Sequence, residues 1–375
     1  MPGLLPDVDP DGLLEYSVVY TDRALNHMSA KFQRVMTDVS TALKAIYRAH
    51  AVAIVPGGGT YGMEAVARQL ATGQKVLIVR NGWFSYRWSQ ILQVGGIAAS
   101  ELVLKAQPVS ADEGAPYAPP PIEEVVSTIA REQPGIVCVA HVETASGILL
   151  PDDYLRRIGE AVRAVNGLFV VDCVASGAVW LDMPELNIDV LLSAPQKGWS
   201  ATPCAALVML SERGRERVES TQSTSFACDL RKWLEVMSAY ERGGHMYHAT
   251  LPTDALAQLR DALVESRRSS LSTLRNAQWQ LGQRIRATLE GAGFASVAAE
   301  GFKAPSVVVS YTQDADVASG KKLRDLGLQV AAGIPLACDE PASFRTFRVG
   351  LFGLDKLLNI DRTVRTFARA LEQLR

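Results

Sequence analysis

The sequence predicts an α/β protein: a large domain on a mostly parallel seven-stranded sheet, followed by a small α+β domain. Two observations carry that expectation. From about Ala51 to Leu210, short Val/Ile/Leu/Ala runs alternate with amphipathic stretches, the pattern of a parallel sheet covered by helices on both faces. After Ser211 the alternation gives way to long helical stretches and a few isolated strand candidates. At ~150 residues per domain, 375 residues allow two or three domains. We place the division at 18–255 and 256–375, with segment 1–17 packing on the smaller part or at the mouth of the site.

The expected strands of the large sheet, in order, are Ala51–Pro56, Lys75–Arg80, Ser100–Leu104, Ile136–His141, Leu168–Asp172, Val190–Ser193 and Ala205–Leu210. Between them, Tyr61–Ala71, Ile122–Glu132 and Asp152–Val165 have helical spacing. Pro121 and Pro151 stand just before the last two, where a missing N–H costs a helix nothing. Further on, Thr253–Leu289 predicts one long helical stretch. Ser306–Tyr311, Leu328–Ala331 and Arg345–Leu351 predict strands, and Ala315–Leu326 a helix.

Composition excludes several classes. Lys plus Arg number 38 against 40 Asp plus Glu, so binding driven by counterion release from nucleic acid is not expected. Hydrophobic residues make up 48% and charged residues 21%, the balance of a folded enzyme rather than a disordered chain. No run of 18 uncharged apolar residues occurs, and Met1–Leu14 carries Asp7, Asp9 and Asp11 without a basic region, so neither a membrane span nor a secretory signal is expected. Cys138, Cys173, Cys204, Cys228 and Cys338 form no CxxC pair and read as reduced thiols of a cytoplasmic protein. His27, His50, His245 and His248 have no metal-ligand spacing, and no metal is expected.

Three segments carry chemistry. Pro56-Gly57-Gly58-Gly59-Thr60-Tyr61-Gly62 follows a strand and opens a helix, a place where bare N–H groups can cradle a phosphate. It lacks the Gly-Lys-Ser/Thr of a Walker loop. It does fit GxGxxG at Gly57, Gly59 and Gly62, but the next strand ends in Arg80-Asn81 where a dinucleotide site wants an acid. Asp172 ends the strand Phe169-Val170-Val171-Asp172, at the edge where parallel sheets bind ligands. Lys197 follows a buried strand, and burial lowers a lysine pKa toward Schiff-base chemistry. A phosphate cradle, a strand-end acid and a strand-end lysine are the parts that hold pyridoxal phosphate.

Val171-Asp172-Cys173-Val174-Ala175-Ser176 and Ser193-Ala194-Pro195-Gln196-Lys197-Gly198-Trp199 resemble the class V aminotransferases of the fold type I pyridoxal-phosphate enzymes, most of all the alanine–glyoxylate and serine–pyruvate branch. The resemblance runs from about Asn26 to the C-terminus. It implies a phosphate held by Gly58, Gly59, Thr60 and Gln196, and Phe84 of Asn81-Gly82-Trp83-Phe84 stacked on the ring. It also implies Thr144 of His141–Gly147 near the ring oxygen, Asp172 on the ring nitrogen with Val174 beside it, and Lys197 as the covalent tether and base. Met246-Tyr247-His248-Ala249-Thr250 resembles the segment whose Tyr and Thr reach the phosphate of the other subunit, so a homodimer with shared sites is implied. Arg348 of Phe347-Arg348-Val349-Gly350 would grip the substrate carboxylate.

The implied activity is ping-pong transamination from a small amino acid, alanine- or serine-like, to glyoxylate or pyruvate. A 2-aminoethylphosphonate–pyruvate transaminase is one alternative, and a desulfurase using Cys338, which lies 338 − 197 = 141 residues after the lysine, is another. An NAD(P)-dependent dehydrogenase is a remote third. The chain departs from the family in three places: at Leu4–Tyr20, at Gly58 where a Ser is usual, and at Ala332–Cys338. The amino donor therefore stays open.

Overall fold

The structure, a computed structural model, describes residues 13–374, so most of the 1–17 segment lies outside the described residues. Seven strands form the large sheet: β1 (Ala51–Pro56), β2 (Lys75–Arg80), β3 (Ser100–Lys105), β4 (Ile136–Ala140), β5 (Leu168–Asp172), β6 (Val190–Ser193) and β7 (Ala205–Leu210). β4, β5, β6 and β7 are buried along their whole length, as their unbroken apolar runs require. Their order is β1-β7-β6-β5-β4-β2-β3.

One strand decides the geometry. β2, β3, β4, β5 and β6 pair in parallel, whereas β7 is antiparallel to both β6 and β1. Two reversals leave β1 running in the same sense as β6. The ends of β1, β2, β4, β5 and β6 therefore meet along one edge, where the register sets Asp172 opposite Ala140 on one side and Leu192 on the other.

A second sheet, β8 (Val307–Tyr311), β9 (Ala331–Ala332) and β10 (Thr346–Gly350), has the antiparallel order β8-β10-β9. Phe347 packs with Leu274, Leu281 and Ile285 in a core separate from that of the large sheet.

Helix boundaries moved more than strand boundaries. The Thr253–Leu289 stretch is two helices, Thr253–Arg268 and Leu271–Gly291, because Ser270 takes a left-handed φ of 64° between them. Ala315–Leu326 is likewise split, into Ala315–Ala318 and Lys321–Asp325, at Gly320 with φ 77°. Of the expected strand Leu328–Ala331 only Ala331 is in a strand, the two-residue β9, because Gly327 (φ 83°) turns the chain ahead of Leu328. Helices at Ala30–Tyr47, Trp83–Gly95, Glu212–Ser220 and Leu230–Glu241 were not anticipated.

The first helix after β1, α1 (Gly59–Val66), continues as a π-helical turn over Ala67–Ala71. It lies directly on the sheet: a Cβ on Gly62 would stand 2.5 Å from Ala206 Cβ and 3.2 Å from Leu192 Cδ2. Gly62→Ala should therefore destabilise the protein by about 1–3 kcal/mol through overpacking, measured by urea unfolding. A change within error would show that α1 can lift off without cost.

Candidate active site

The predicted residues that reach the shared edge come from several different elements. Gly57 leaves β1 with φ 120°, and Gly58 starts α1 with no side chain to cap it. Among the described residues the N–H groups of Gly59 and Thr60 have no acceptor, as expected at a helix start. A Cβ on Gly58 would meet nothing within 4 Å, so the mouth of this cradle is open. At Gly59 the space is already taken, because Val174 Cγ2 stands 2.8 Å from where its Cβ would be.

Val174 thus joins two parts of the site. Its side chain fills the space beside Gly59, and its N–H donates to Asp172 Oδ1 at 2.8 Å. Burial pushes the Asp172 carboxyl up to about 6, against the Val174 hydrogen bond and the nearby Lys197 charge. Burial also pulls the Lys197 ammonium below its ordinary value. Asp172 opposes that shift and Arg348 reinforces it.

The loop carrying Lys197 is pinned from below. Trp199 is fully buried, donates its Nε1–H to Ser193 Oγ at 3.1 Å and stacks on Trp180 at 5.4 Å. The amine itself stands between two rings, 5.7 Å from the centroid of Phe84 and 5.4 Å from that of Phe352. Arg348, at the middle of β10, has its Cζ 5.9 Å from the Phe84 centroid. Its Nε–H donates to Ala332 O at 2.8 Å, the one hydrogen bond of its side chain among the described residues, so the forked end remains for a ligand.

Phe84 lies in the first turn of α2 (Trp83–Gly95), whose start is held by Glu143, a residue to which the sequence assigns no role. Glu143 is wholly buried. Its Oε1 accepts from Phe84 N at 3.2 Å and Ala145 N at 3.0 Å, and its Oε2 accepts from Ser85 N and Ser85 Oγ, both at 2.8 Å. A carboxylate at a helix N-terminus is favourable, and here it fixes the backbone that carries the Phe84 ring.

Arg87, one turn further along α2, was missed as well. Its Nη1 donates to Thr60 Oγ1 at 2.9 Å, and its Cζ lies 4.9 Å from the Phe84 centroid. The three-residue step from Phe84 to Arg87 was the available signal, since i and i+3 share a helix face.

The other expected residues divide into two groups. Thr144 is buried, and its hydroxyl has no partner among the described residues. The Asn81 side chain and His141 Nε2 share that condition, while His141 Nδ1 contacts Ser176 Oγ at 2.7 Å and burial drives the ring pKa down to about 3. An unmet buried polar group costs about 1–3 kcal/mol, so this edge is built to bond something polar.

Gln196, Tyr247 and Thr250 are exposed and belong to no such cluster within one chain. Tyr247 and Thr250 join their hydroxyls at 3.1 Å, with the His27 ring 5.7 Å from that of Tyr247. Cys338 is buried, points its thiol at Arg80 O at 3.3 Å, and has its pKa pushed up to about 12 by burial. Such a thiol is a poor nucleophile.

Anion cradle, buried acid and desolvated lysine on one edge of a sheet with a single antiparallel strand are the arrangement of fold type I pyridoxal-phosphate-dependent transferases. Residues 13–350 match the family model described as aminotransferase class-V, and the chain belongs to that family. It is 25% identical over 363 residues to an alanine–glyoxylate aminotransferase of Callithrix jacchus, covering 93% of this chain and 82% of the relative. It is 26% identical over 348 residues to an L-aspartate–glyoxylate aminotransferase of Paracoccus denitrificans, covering 88% and 81%. In fold it is similar to an alanine–glyoxylate aminotransferase structure from Nostoc sp., with a TM-score of 0.77 at 22% identity over 92% of this chain and 88% of that one.

The buried Asp172 charge should burden the cofactor-free protein. Its pKa of about 6 against an ordinary 3.8 corresponds to about 3 kcal/mol at 1.36 kcal/mol per unit, a cost fully felt above pH 6 and absent below 3.8. Asp172→Asn should therefore raise the urea resistance of the cofactor-free protein at pH 8, by up to that amount. The advantage should shrink as pH falls from 6 toward 4. An equal or larger advantage at pH 4 would contradict the assignment of that cost to Asp172.

Proposed function

We propose that this protein is a transaminase that moves the amino group of a small amino acid to glyoxylate or pyruvate, with pyridoxal phosphate carried on Lys197. The observation that supports it most is the Lys197 amine, desolvated and set between Asp172, Phe84 and Arg348. The class V family is pyridoxal-phosphate dependent as a whole. The residues here fit that group: an open cradle at Gly58, Gly59 and Thr60, and a Thr144 hydroxyl lacking a partner.

When bound, the cofactor supplies an electron sink for the carbanion left when the substrate loses its α-proton. The protein does the rest. Gly59 and Thr60 would offer N–H groups to the phosphate, with the Arg87 charge behind Thr60. Asp172 would face the ring nitrogen of the bound group, and a protonated partner there would hold the carboxylate ionised despite its burial. Phe84 presents its ring as a stacking face, held in place through Glu143. Arg348 binds the substrate carboxylate with both Nη groups, which orients the α-C–H. Lys197 would carry the group until the substrate amine replaced it, and the freed amine, with its pKa lowered by burial, would be the base that takes the α-proton and later returns one.

Both relatives use glyoxylate as acceptor by name, and their donors differ, which supports glyoxylate here more than any one donor. We further propose a homodimer in which Tyr247 and Thr250 complete the phosphate site of the partner; the exposure of both in one chain supports this. Five free, buried cysteines support a cytoplasmic setting; no helix among the described residues is long and apolar enough to cross a membrane. The division near residue 255 remains our proposal, with the helix Thr253–Arg268 lying across it and sending Leu256, Leu259 and Leu263 into the larger core.

Borohydride reduction of the holoenzyme followed by peptide mapping should place a pyridoxyl group on Lys197. Labelling at another lysine, or at none, would overturn the proposal. Cys338→Ser should keep transamination of alanine within about twofold of the parent, since a buried thiol at about 12 does no nucleophilic work. Loss of turnover together with sulfide release by the parent would instead mark a desulfurase.

A further inference from the structure

We propose that Phe352 is the specificity-determining residue that limits the side chain of the amino donor. The inference rests on the reading of Lys197 and Arg348 given above. An amino acid that offers its carboxylate to Arg348 and its amine at the position of Lys197 Nζ brings its α-carbon close to both neighbouring rings. Phe84, at 5.7 Å from the amine, is committed to the cofactor. Phe352, at 5.4 Å, is then the apolar wall left for the side chain on the α-carbon.

Phe352 is held firmly enough to act as a wall. Its carbonyl accepts from Lys356 Nζ at 2.9 Å. The following peptide turns at Gly353, with φ 106°, and Leu354 N–H donates to Ser200 Oγ at 3.1 Å. Ser200 in turn donates its own N–H to Lys197 O at 3.1 Å, from a left-handed φ of 57°. Two hydrogen bonds therefore tie the Phe352 loop to the backbone of the lysine itself. On its other side the ring lies along the end of β10, where a Cβ on Gly350 would stand 3.3 Å from Phe352 Cδ2. A ring fixed on both sides cannot swing away cheaply to admit a longer chain.

The experiment compares holoenzyme of the parent, Phe352→Ala and Phe352→Leu, with alanine, norvaline and phenylalanine as donors. Bleaching of the visible chromophore gives kcat/KM for each half-reaction. In the parent, norvaline and phenylalanine should be poor donors beside alanine. Phe352→Ala should raise the norvaline-to-alanine ratio by roughly tenfold or more, the scale set by one or two methylenes in a shaped pocket. Phe352→Leu should give a smaller gain in the same ratio, and it keeps the test alive if the alanine variant does not fold. Unchanged ratios in a folded variant, or a parent that already takes norvaline as well as alanine, would overturn the role of Phe352 and leave the transaminase reading standing. A parent with no chromophore and no label on Lys197 would instead remove the transaminase reading, and this inference with it.

Discussion

Two opposite charges withdrawn from water at one sheet edge set the terms for everything else in this molecule. Asp172 and Lys197 both lose hydration, and each is shifted toward its neutral form by that loss. Burial of this kind is unstable unless a partner shares the charge, and the two residues come from neighbouring segments of the same sheet. The antiparallel β7 makes the arrangement possible. By reversing twice between β6 and β1, the sheet brings an anion cradle to the edge that already holds the acid and the lysine.

Around that pair, the packing is rigid. Val174 fills the space that Gly59 leaves and bonds Asp172, so cradle and acid move as one body. Trp199 anchors the lysine loop to the end of β6, and Ser200 ties the same loop to the start of the next segment after β10. Catalytic geometry of this sort depends on side chains whose own positions are locked by neighbours.

Much of this was legible in the amino-acid order. The seven strands of the large sheet are continuous apolar runs, and a buried parallel strand announces itself that way; their ends were placed within a residue. Asp172, Lys197 and the glycine loop were legible because charge and glycine at strand ends are conspicuous. What escaped were contacts between segments far apart in the chain. Nothing near Glu143 in sequence says that it accepts from Ser85, 58 positions earlier, in the first turn of α2, and nothing near Lys197 points to Phe352. Ser270 and Gly320 broke expected helices because a single left-handed residue overrides apolar spacing. Tyr247 and Thr250 follow from the resemblance alone, and within one chain both are exposed.

Two helices begin at this edge, and their dipoles are put to different use. The positive pole of α2 is spent on an internal counter-ion, Glu143, while among the described residues that of α1 has no side chain capping it. The protein has in effect titrated one of its two anion holes with its own carboxylate. On the reading proposed above, a negatively charged group arriving from solution would be drawn to the start of α1 rather than to that of α2, so that a phosphate would face α1 and the remainder the arginine of the other sheet.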